Sequence, residues 1–95
     1  MEITSSGNTI KITGNIKSVS DYQEVKSVVD SVVANHKTIV IDIQDSISIT
    51  SSIIGYFNKL VLKDKISFSM RVGNEQLLEL LDDLNLITLL GVRKG

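Results

Sequence analysis

The chain has 95 residues, of which 42% are hydrophobic, and its 10 basic and 11 acidic side chains leave a formal net charge of −1. This length allows one domain, residues 1–95, with a single modest core, and the hydrophobic content excludes a disordered chain. The near-neutral charge, two Tyr, two Phe and no Trp exclude the basic surfaces and stacking platforms of nucleic-acid-binding proteins. The absence of Cys excludes disulfides and thiolate metal sites.

The first predicted elements are two strands and a helix. Met1–Thr4 predicts a short strand, and Thr9–Thr13 alternates polar and apolar residues as a second strand does, with turn residues between them. Ser20–Gln23 fits a capping box that starts a helix. Its apolar residues recur at helical spacing: Tyr22, Val25, Val28, Val29, Val32 and Val33. Because most of them are β-branched and weaken an isolated helix, we expect the helix to be stabilised by packing on a sheet.

The middle of the chain predicts a strand, a loop and a second helix. Thr38–Ile43 is the most hydrophobic strand-like run and predicts a central strand buried on both faces. A turn follows, and Ile47–Ile49 predicts a short extended piece. From Ser51 or Ser52 to about Lys63, one helical face carries the apolar residues Ile53, Ile54, Phe57, Leu60 and Val61.

The last third predicts a strand, a helix and a closing strand. Ser67–Val72 alternates as a strand, and Asn74 is a suitable N-cap for a third helix. Leucines at helical spacing are expected inside: Leu77, Leu78, Leu80, Leu81 and Leu84. Ile87–Leu90 predicts an edge strand. The order β-β-α-β-α-β-α-β predicts the α/β class, with a mixed, largely parallel sheet covered by helices.

Few residues are candidates for chemistry. The single His36 lies near a predicted helix end, where a solvated side chain is expected. Asp42 has no partner at a catalytic spacing, so a structural hydrogen bond is the favoured role. We therefore expect no catalytic residue, cofactor or metal site, and no enzyme. Met1 and Glu2 lead into a polar stretch that is not typical of a signal peptide, and no apolar run could span a membrane, so a cytoplasmic protein is expected.

The order of elements resembles the STAS domain, which occurs in bacterial anti-sigma factor antagonists and in the cytoplasmic tail of sulfate transporters. The strongest match is "IVIDIQDSISITSSIIGYFNKLV", residues 39–61. It is similar to a family pattern of a hydrophobic strand with an Asp, a short loop, then Asp-Ser-Ser/Thr-Gly-Leu-Gly and an apolar helix. The segment "SFSMRVGNEQLLELLDDLNLITLL", residues 67–90, also resembles the last strand, the last helix and the closing strand of the family.

Within this motif, Asp42 falls on the strand Asp, Ser51 on the phosphorylated Ser and Ser52 on the following Ser/Thr. Gly55 falls on the second Gly. Thr50 stands in place of the motif Asp. Ile53 stands in place of the first Gly, where an apolar side chain either packs inward or forms part of a docking face. The resemblance implies phosphorylation at Ser51 and partner binding through Thr50, Ser52, Ile53, Ile54 and Gly55.

The resemblance implies a partner-switching regulator of transcription. The unphosphorylated protein would bind a GHKL-type serine kinase that is also an anti-sigma factor, and a PP2C-like phosphatase would reverse phosphorylation at Ser51. Three alternatives remain: Thr50 or Ser51 is merely a helix N-cap, the chain is a non-phosphorylated STAS subunit of a membrane lipid-transport complex, or it is a STAS module that regulates another enzyme. For Gly55, we expect close backbone approach to the sheet or to the partner.

Overall fold

The computed structural model describes residues 1–47 and 49–95 and confirms the predicted α/β class and order of elements. The elements are β1 (Glu2–Ser6), β2 (Thr9–Thr13), α1 (Val19–Val33), β3 (Thr38–Ile43), α2 (Ser51–Leu62), β4 (Ser67–Val72), α3 (Glu75–Asp83) and β5 (Val92–Lys94). Among the described residues, no helix is both long enough and apolar enough to cross a membrane.

The strands form one five-stranded sheet in the order β1-β2-β3-β4-β5, with β3 in the centre as predicted. The β1–β2 pair is antiparallel, and the other three pairs are parallel. Gly7 opens the two-residue turn between β1 and β2 with a φ of 59°, a conformation that suits a tight hairpin and favours glycine. Each parallel connection passes through a helix or, between β4 and β5, through α3 and further turns.

All three helices cover the same face of the sheet. Buried residues of neighbouring strands lie side by side on this face, as Ile12 lies beside Ile43 and Ile43 beside Val72. They form one core with the apolar faces of the helices; the strand members are Ile10, Ile12, Ile39, Ile41, Ile43, Phe68, Met70, Val72 and Val92. Each fully buried apolar side chain of this size contributes about 1.5–3 kcal/mol. The result is a two-layer fold with its core between helices and sheet.

The prediction that β3 is buried on both faces is wrong. Ile39, Ile41 and Ile43 are fully buried beneath the helices, whereas Val40 and Asp42 on the opposite face are only half-buried. No helix of the described chain covers that face. The apolar run in Thr38–Ile43 indicates two-sided burial, but the helices pack on one side only.

The N-cap of α1 lies two residues before the predicted one. Ser18, not Ser20, is the N-cap, and its hydroxyl accepts a hydrogen bond from the Asp21 backbone N–H at 3.0 Å. The Asp21 carboxylate accepts in return from the backbone of Lys17 at 2.9 Å and of Ser18 at 3.3 Å. These backbone donors, that of Lys17 above all, lower the pKa of Asp21. The capping box therefore uses an aspartate in place of the predicted glutamine.

The closing strand also lies later than predicted. Residues 87–90 form turns, and the edge strand is Val92–Lys94, paired with β4. The strand begins later because Leu86 and Leu90 are four residues apart and lie on one helical turn. The Leu90 N–H donates to the Leu86 carbonyl at 2.9 Å, and both side chains are buried. Leu84, predicted to be inside, follows the end of α3 and is 47% exposed.

The short extended piece predicted for Ile47–Ile49 is only partly testable, because Ser48 lies outside the described residues. Ile47 and Ile49 on either side of it belong to no strand. Ile49 is buried in the core, whereas Ile47 is 48% exposed. Between β3 and α2, the described residues 44–47 and 49–50 form a loop.

Candidate functional site at the start of α2

The predicted motif lies at the carboxyl end of the parallel strands, the edge where sites of open α/β sheets are usually built. Here the loop residues 45–47 are hydrogen-bonded to the loop that follows β2. The Gly14 N–H donates to Asp45 Oδ1 at 2.9 Å, and the Ile47 N–H donates to Asn15 Oδ1 at 2.8 Å. The hydroxyl of Ser46, a fully buried residue, donates to the Gly14 carbonyl. These bonds fix the path of the chain into α2.

The loop between β4 and α3, residues 73–74, packs against the end of β3 in the same region. The Gly73 N–H donates to the Ile43 carbonyl at 2.9 Å. A Cβ at Gly73 would lie 2.6 Å from the backbone oxygen of Gln44, so no larger residue fits without displacing that backbone. Glycine is therefore required here for close packing between the two loops.

Thr50 is the N-cap of α2. Its Oγ1 accepts from the Ile53 N–H at 3.3 Å, and its carbonyl accepts from the Ile54 N–H at 3.2 Å. Ser51 and Ser52 then occupy the first two helical positions and are both exposed. Within the described part of the chain, their hydroxyls form no hydrogen bond. Thr50 and Ser51 were the two predicted candidates for the N-cap, and the structure assigns this role to Thr50. The hydroxyl of Ser51 therefore does not cap the helix.

The predicted partner-binding residues divide by exposure. Ser52 and Gly55 are exposed, and Thr50 and Ile54 are half-buried. Ile53 has no exposed surface, because it points into the core between α2 and the sheet. Its assignment to a partner-binding surface is therefore corrected: Ile53 anchors the helix.

Gly55 is not packed against the sheet. A Cβ added there would meet no atom within 4 Å, because the residue lies on the solvent side of α2. Gly55 was expected to allow close backbone approach either to the sheet or to a partner, and the prediction for the sheet is wrong. An approach by a partner stays a prediction.

A shallow groove separates the starts of α1 and α2. It has a volume of about 300 Å³ and is lined by Lys17, Ser18, Val19, Tyr22, Thr50 and Ser52. Two helix N-termini, with their unpaired backbone N–H groups, therefore flank one surface depression. Val19 is 72% exposed at its rim, and Ile47 is 48% exposed in the loop before α2. This end of the molecule thus presents apolar side chains beside hydroxyl groups.

A side-chain cluster that sequence reasoning missed joins α2 to α1. The Tyr56 hydroxyl donates to Asp30 Oδ1 at 2.5 Å, and Lys26 forms an ion pair with Asp30 at 2.9 Å. The Lys26 ammonium also lies 5.6 Å from the centre of the Tyr56 ring, and Tyr22 packs edge-on against that ring. The four-residue spacing of Lys26 and Asp30 was visible in the sequence, but its pairing with Tyr56 needed the tertiary structure.

The cluster shifts two pKa values. Burial, reinforced by the bond to Asp30, raises the pKa of the Tyr56 phenol well above its ordinary value of 10.0. Burial also raises the pKa of Asp30, but the hydrogen bonds from Tyr56 and Lys26 outweigh it and leave this pKa below the ordinary 3.8. At neutral pH the pair is therefore a neutral phenol donating to a carboxylate, which fixes the rotation of α2 relative to α1.

The remaining candidates lie apart from this site. Asp42 accepts a hydrogen bond from the Gln44 side chain on the uncovered face of the sheet, which fits the predicted structural role. His36 is exposed between α1 and β3, as predicted. In residues 1–47 and 49–95, no group of three or more His, Asp or Glu side chains is arranged to hold a metal ion.

Comparisons of the chain with protein-family models, with curated proteins and with solved structures find no match. The α/β architecture thus comes from the structure of this chain alone. The resemblance to STAS domains stays a prediction.

Proposed function

We propose that the chain is a partner-switching regulator, similar to an anti-sigma factor antagonist, in which phosphorylation of Ser51 controls binding to a protein partner. The observation that carries the proposal is the position of Ser51. It is exposed at the first residue of α2, and Thr50 already caps the helix. Its hydroxyl is accessible to a kinase, and its modification leaves the cap bond in place.

The start of α2 is suited to a phosphate. Phosphoryl transfer from ATP would form a bond from the γ-phosphorus to Ser51 Oγ, release ADP and free the hydroxyl proton. The product carries about 1.5–2 negative charges at pH 7. Backbone N–H groups at positions 51 and 52 precede the first bonded donor of the helix and carry the positive end of its dipole. The folded domain therefore tolerates the charge.

The partner is proposed to be more sensitive to that charge than the domain itself. The groove at the start of α2 has the exposed side chain of Val19 at its rim, and the half-buried Ile54 lies in the first turn of α2. A partner that buries these apolar groups also desolvates whatever Ser51 carries, which is unfavourable for a phosphate without a matching cation. The proposed partners are a GHKL-type serine kinase that acts as an anti-sigma factor and a PP2C-like phosphatase, in the bacterial cytoplasm.

The test compares Ser51→Asp, Ser51→Ala and wild type for affinity to the partner kinase, once that kinase is recovered from a native lysate and purified. We expect Ser51→Asp to bind at least about tenfold more weakly, equivalent to about 1.4 kcal/mol. Ser51→Ala should bind normally and resist phosphorylation. Mass spectrometry of the chain purified from cells should find phosphate on Ser51.

Ser52→Asp is the matched control, because Ser52 is the next residue of the same helix turn and is also exposed. An equal loss of affinity for both Asp variants would indicate a general charge effect instead of a switch at Ser51. Unchanged affinity of Ser51→Asp, with no phosphate found in cells, would overturn the proposal. That outcome would favour a non-phosphorylated STAS-like subunit of a lipid-transport complex, or a module that regulates another enzyme.

A further inference from the structure

The face of the sheet opposite the helices carries a row of charged side chains. In the strand register, Lys11 lies beside Asp42, Asp42 beside Arg71, and Arg71 beside Arg93. These residues alternate with the buried ones and therefore project away from the core. Among the described residues, none of the four takes part in an ion pair within 4.0 Å.

The two arginines are an unfavourable pair as they stand. Neighbouring strands lie about 4.8 Å apart, so side chains at paired positions are close, and like charges there destabilise a sheet. Asp42 is next to Arg71 on the other side, but among the described residues the two side chains form no ion pair within 4.0 Å. Arg93 has no acidic neighbour in its row. The pairing of Arg71 with Arg93 therefore has no role in holding the sheet together.

Beside these arginines lies a cavity of about 400 Å³, within the size range of small-molecule sites. Its lining includes the guanidinium-bearing Arg71 and Arg93, the hydroxyl residues Thr9 and Ser69, and the half-buried Val40. Met70, Lys94 and Gly95 complete the lining. Thr9, Val40 and Ser69 are themselves one row across β2, β3 and β4. The cavity thus offers two cations at one side of a floor that combines an apolar side chain with two hydroxyls.

The neighbouring cation on β5 behaves differently. Lys94 follows Arg93 and forms an ion pair with Glu75 at the start of α3, on the helix-covered side. Its charge is already matched, and this bond lowers the pKa of Glu75. Of the two adjacent basic residues, the one that projects from the uncovered face is the one without an acidic partner.

We propose that this face binds the phosphate monoester of a small organic molecule, with its phosphate between Arg71 and Arg93. A guanidinium donates two parallel N–H bonds to neighbouring oxygens, so two guanidinium groups can satisfy a dianionic tetrahedral group. The phosphate relieves the repulsion between the two arginines. Val40 contacts the apolar body of the ligand, and Thr9 and Ser69 are available to its polar substituents. This site is separate from the start of α2 and does not depend on phosphorylation of Ser51.

The test uses phenyl phosphate as the probe and the full chain, with binding followed by calorimetry and by amide chemical shifts. Phenyl phosphate should bind with shifts centred on β4 and β5, and the neutral analogue benzyl alcohol should not bind. Inorganic phosphate should bind more weakly, because it has no apolar body to contact Val40. Arg71→Gln and Arg93→Gln should each raise the Kd at least about tenfold, equivalent to about 1.4 kcal/mol.

Lys63→Gln is the matched control, since it removes the same charge from an exposed residue at the end of α2 that does not line the cavity. It should leave the Kd within about twofold, a change of less than 0.5 kcal/mol by the same conversion of about 1.4 kcal/mol per tenfold. Both arginine variants should melt at or above the wild-type temperature, because each removes a like-charge pair. An equal loss of affinity in Lys63→Gln would show general charge attraction and overturn the proposal. So would the absence of phenyl phosphate binding, binding only to vesicles containing phosphatidic acid, or dimerisation through this face.

Discussion

Replacement of Gly55 by alanine should stabilise the protein. Gly55 lies inside α2, where glycine costs about 1 kcal/mol relative to alanine because of its greater freedom in the unfolded chain. A methyl group there meets no atom within 4 Å, so no steric cost opposes the gain. For a domain of this size, about 1 kcal/mol raises the Tm by about 4–8 °C. Thermal melts and urea titrations of Gly55→Ala and wild type would measure the difference.

Gly73→Ala is the opposite control, because its Cβ would lie 2.6 Å from the backbone oxygen of Gln44. It should lower the Tm, although both substitutions add the same methyl group. A Gly55→Ala variant that melts at or below the wild-type temperature would refute the account of α2. If Gly55 is instead kept for close approach by a partner, Gly55→Ala should gain stability and lose affinity for the purified partner kinase.

Two further predictions concern the cluster between α1 and α2. Tyr56→Phe removes the hydrogen bond to Asp30 and should lower the free energy of unfolding by about 1 kcal/mol, measured by urea titration at neutral pH. Because the pKa of Asp30 is lower in the folded protein than its ordinary 3.8, the stability it contributes is present above that pH and is lost as the pH falls through the folded pKa. The difference in unfolding free energy between wild type and Asp30→Asn should therefore be constant near neutrality and shrink in acid; a constant difference down to about pH 3 would contradict this assignment.

Local patterns predicted the architecture because each element carries a strong signal of its own. The alternation in Thr9–Thr13 and Ser67–Val72 marked strands with one solvated face, and the structure confirms both. The cap at Asn74 was also predictable: its side chain accepts from the N–H groups of Gln76 and Leu77 at 2.8 and 3.2 Å. A largely parallel sheet then followed from the alternation of strands and helices.

The errors arose where a local pattern fits two tertiary settings. The apolar run in Thr38–Ile43 reads equally as a strand covered on both faces or as one covered on a single face with Val40 on the other. Ile87–Leu90 has the hydrophobicity of a strand, but it forms turns that bury Leu90. The chain turns into β5 at Gly91, which has a φ of 58°. A Cβ added there would lie 2.6 Å from the Phe68 carbonyl oxygen, so glycine is needed at this turn. That constraint belongs to the packing of two strands and is not visible in the run itself.

The candidate site was predictable in position but not in the division of labour among its residues. Thr50, Ser51 and Ser52 can all cap a helix, and only the backbone geometry assigns that role to Thr50. Ile53 stands where the motif has a glycine, and its complete burial shows that it serves the core. The groove with Val19 at its rim joins segments far apart in the chain, so no local pattern could indicate it.

A two-layer domain of this size must leave one face of its sheet uncovered, and polar side chains on that face are required to keep it in water. Polarity alone therefore says nothing about function; an arrangement that the fold does not need says more. Threonine and serine on the uncovered face would meet the requirement, yet Arg71 and Arg93 lie side by side there. The same reasoning applies to α2, where Thr50 meets the need for a cap and Ser51 lies exposed beyond it. Thr50 provides the cap that α2 needs, and polar residues such as Thr9 and Ser69 provide the polarity that the uncovered face needs. Neither Ser51 nor the arginine pair is required by the fold, and binding should therefore be tested at these positions.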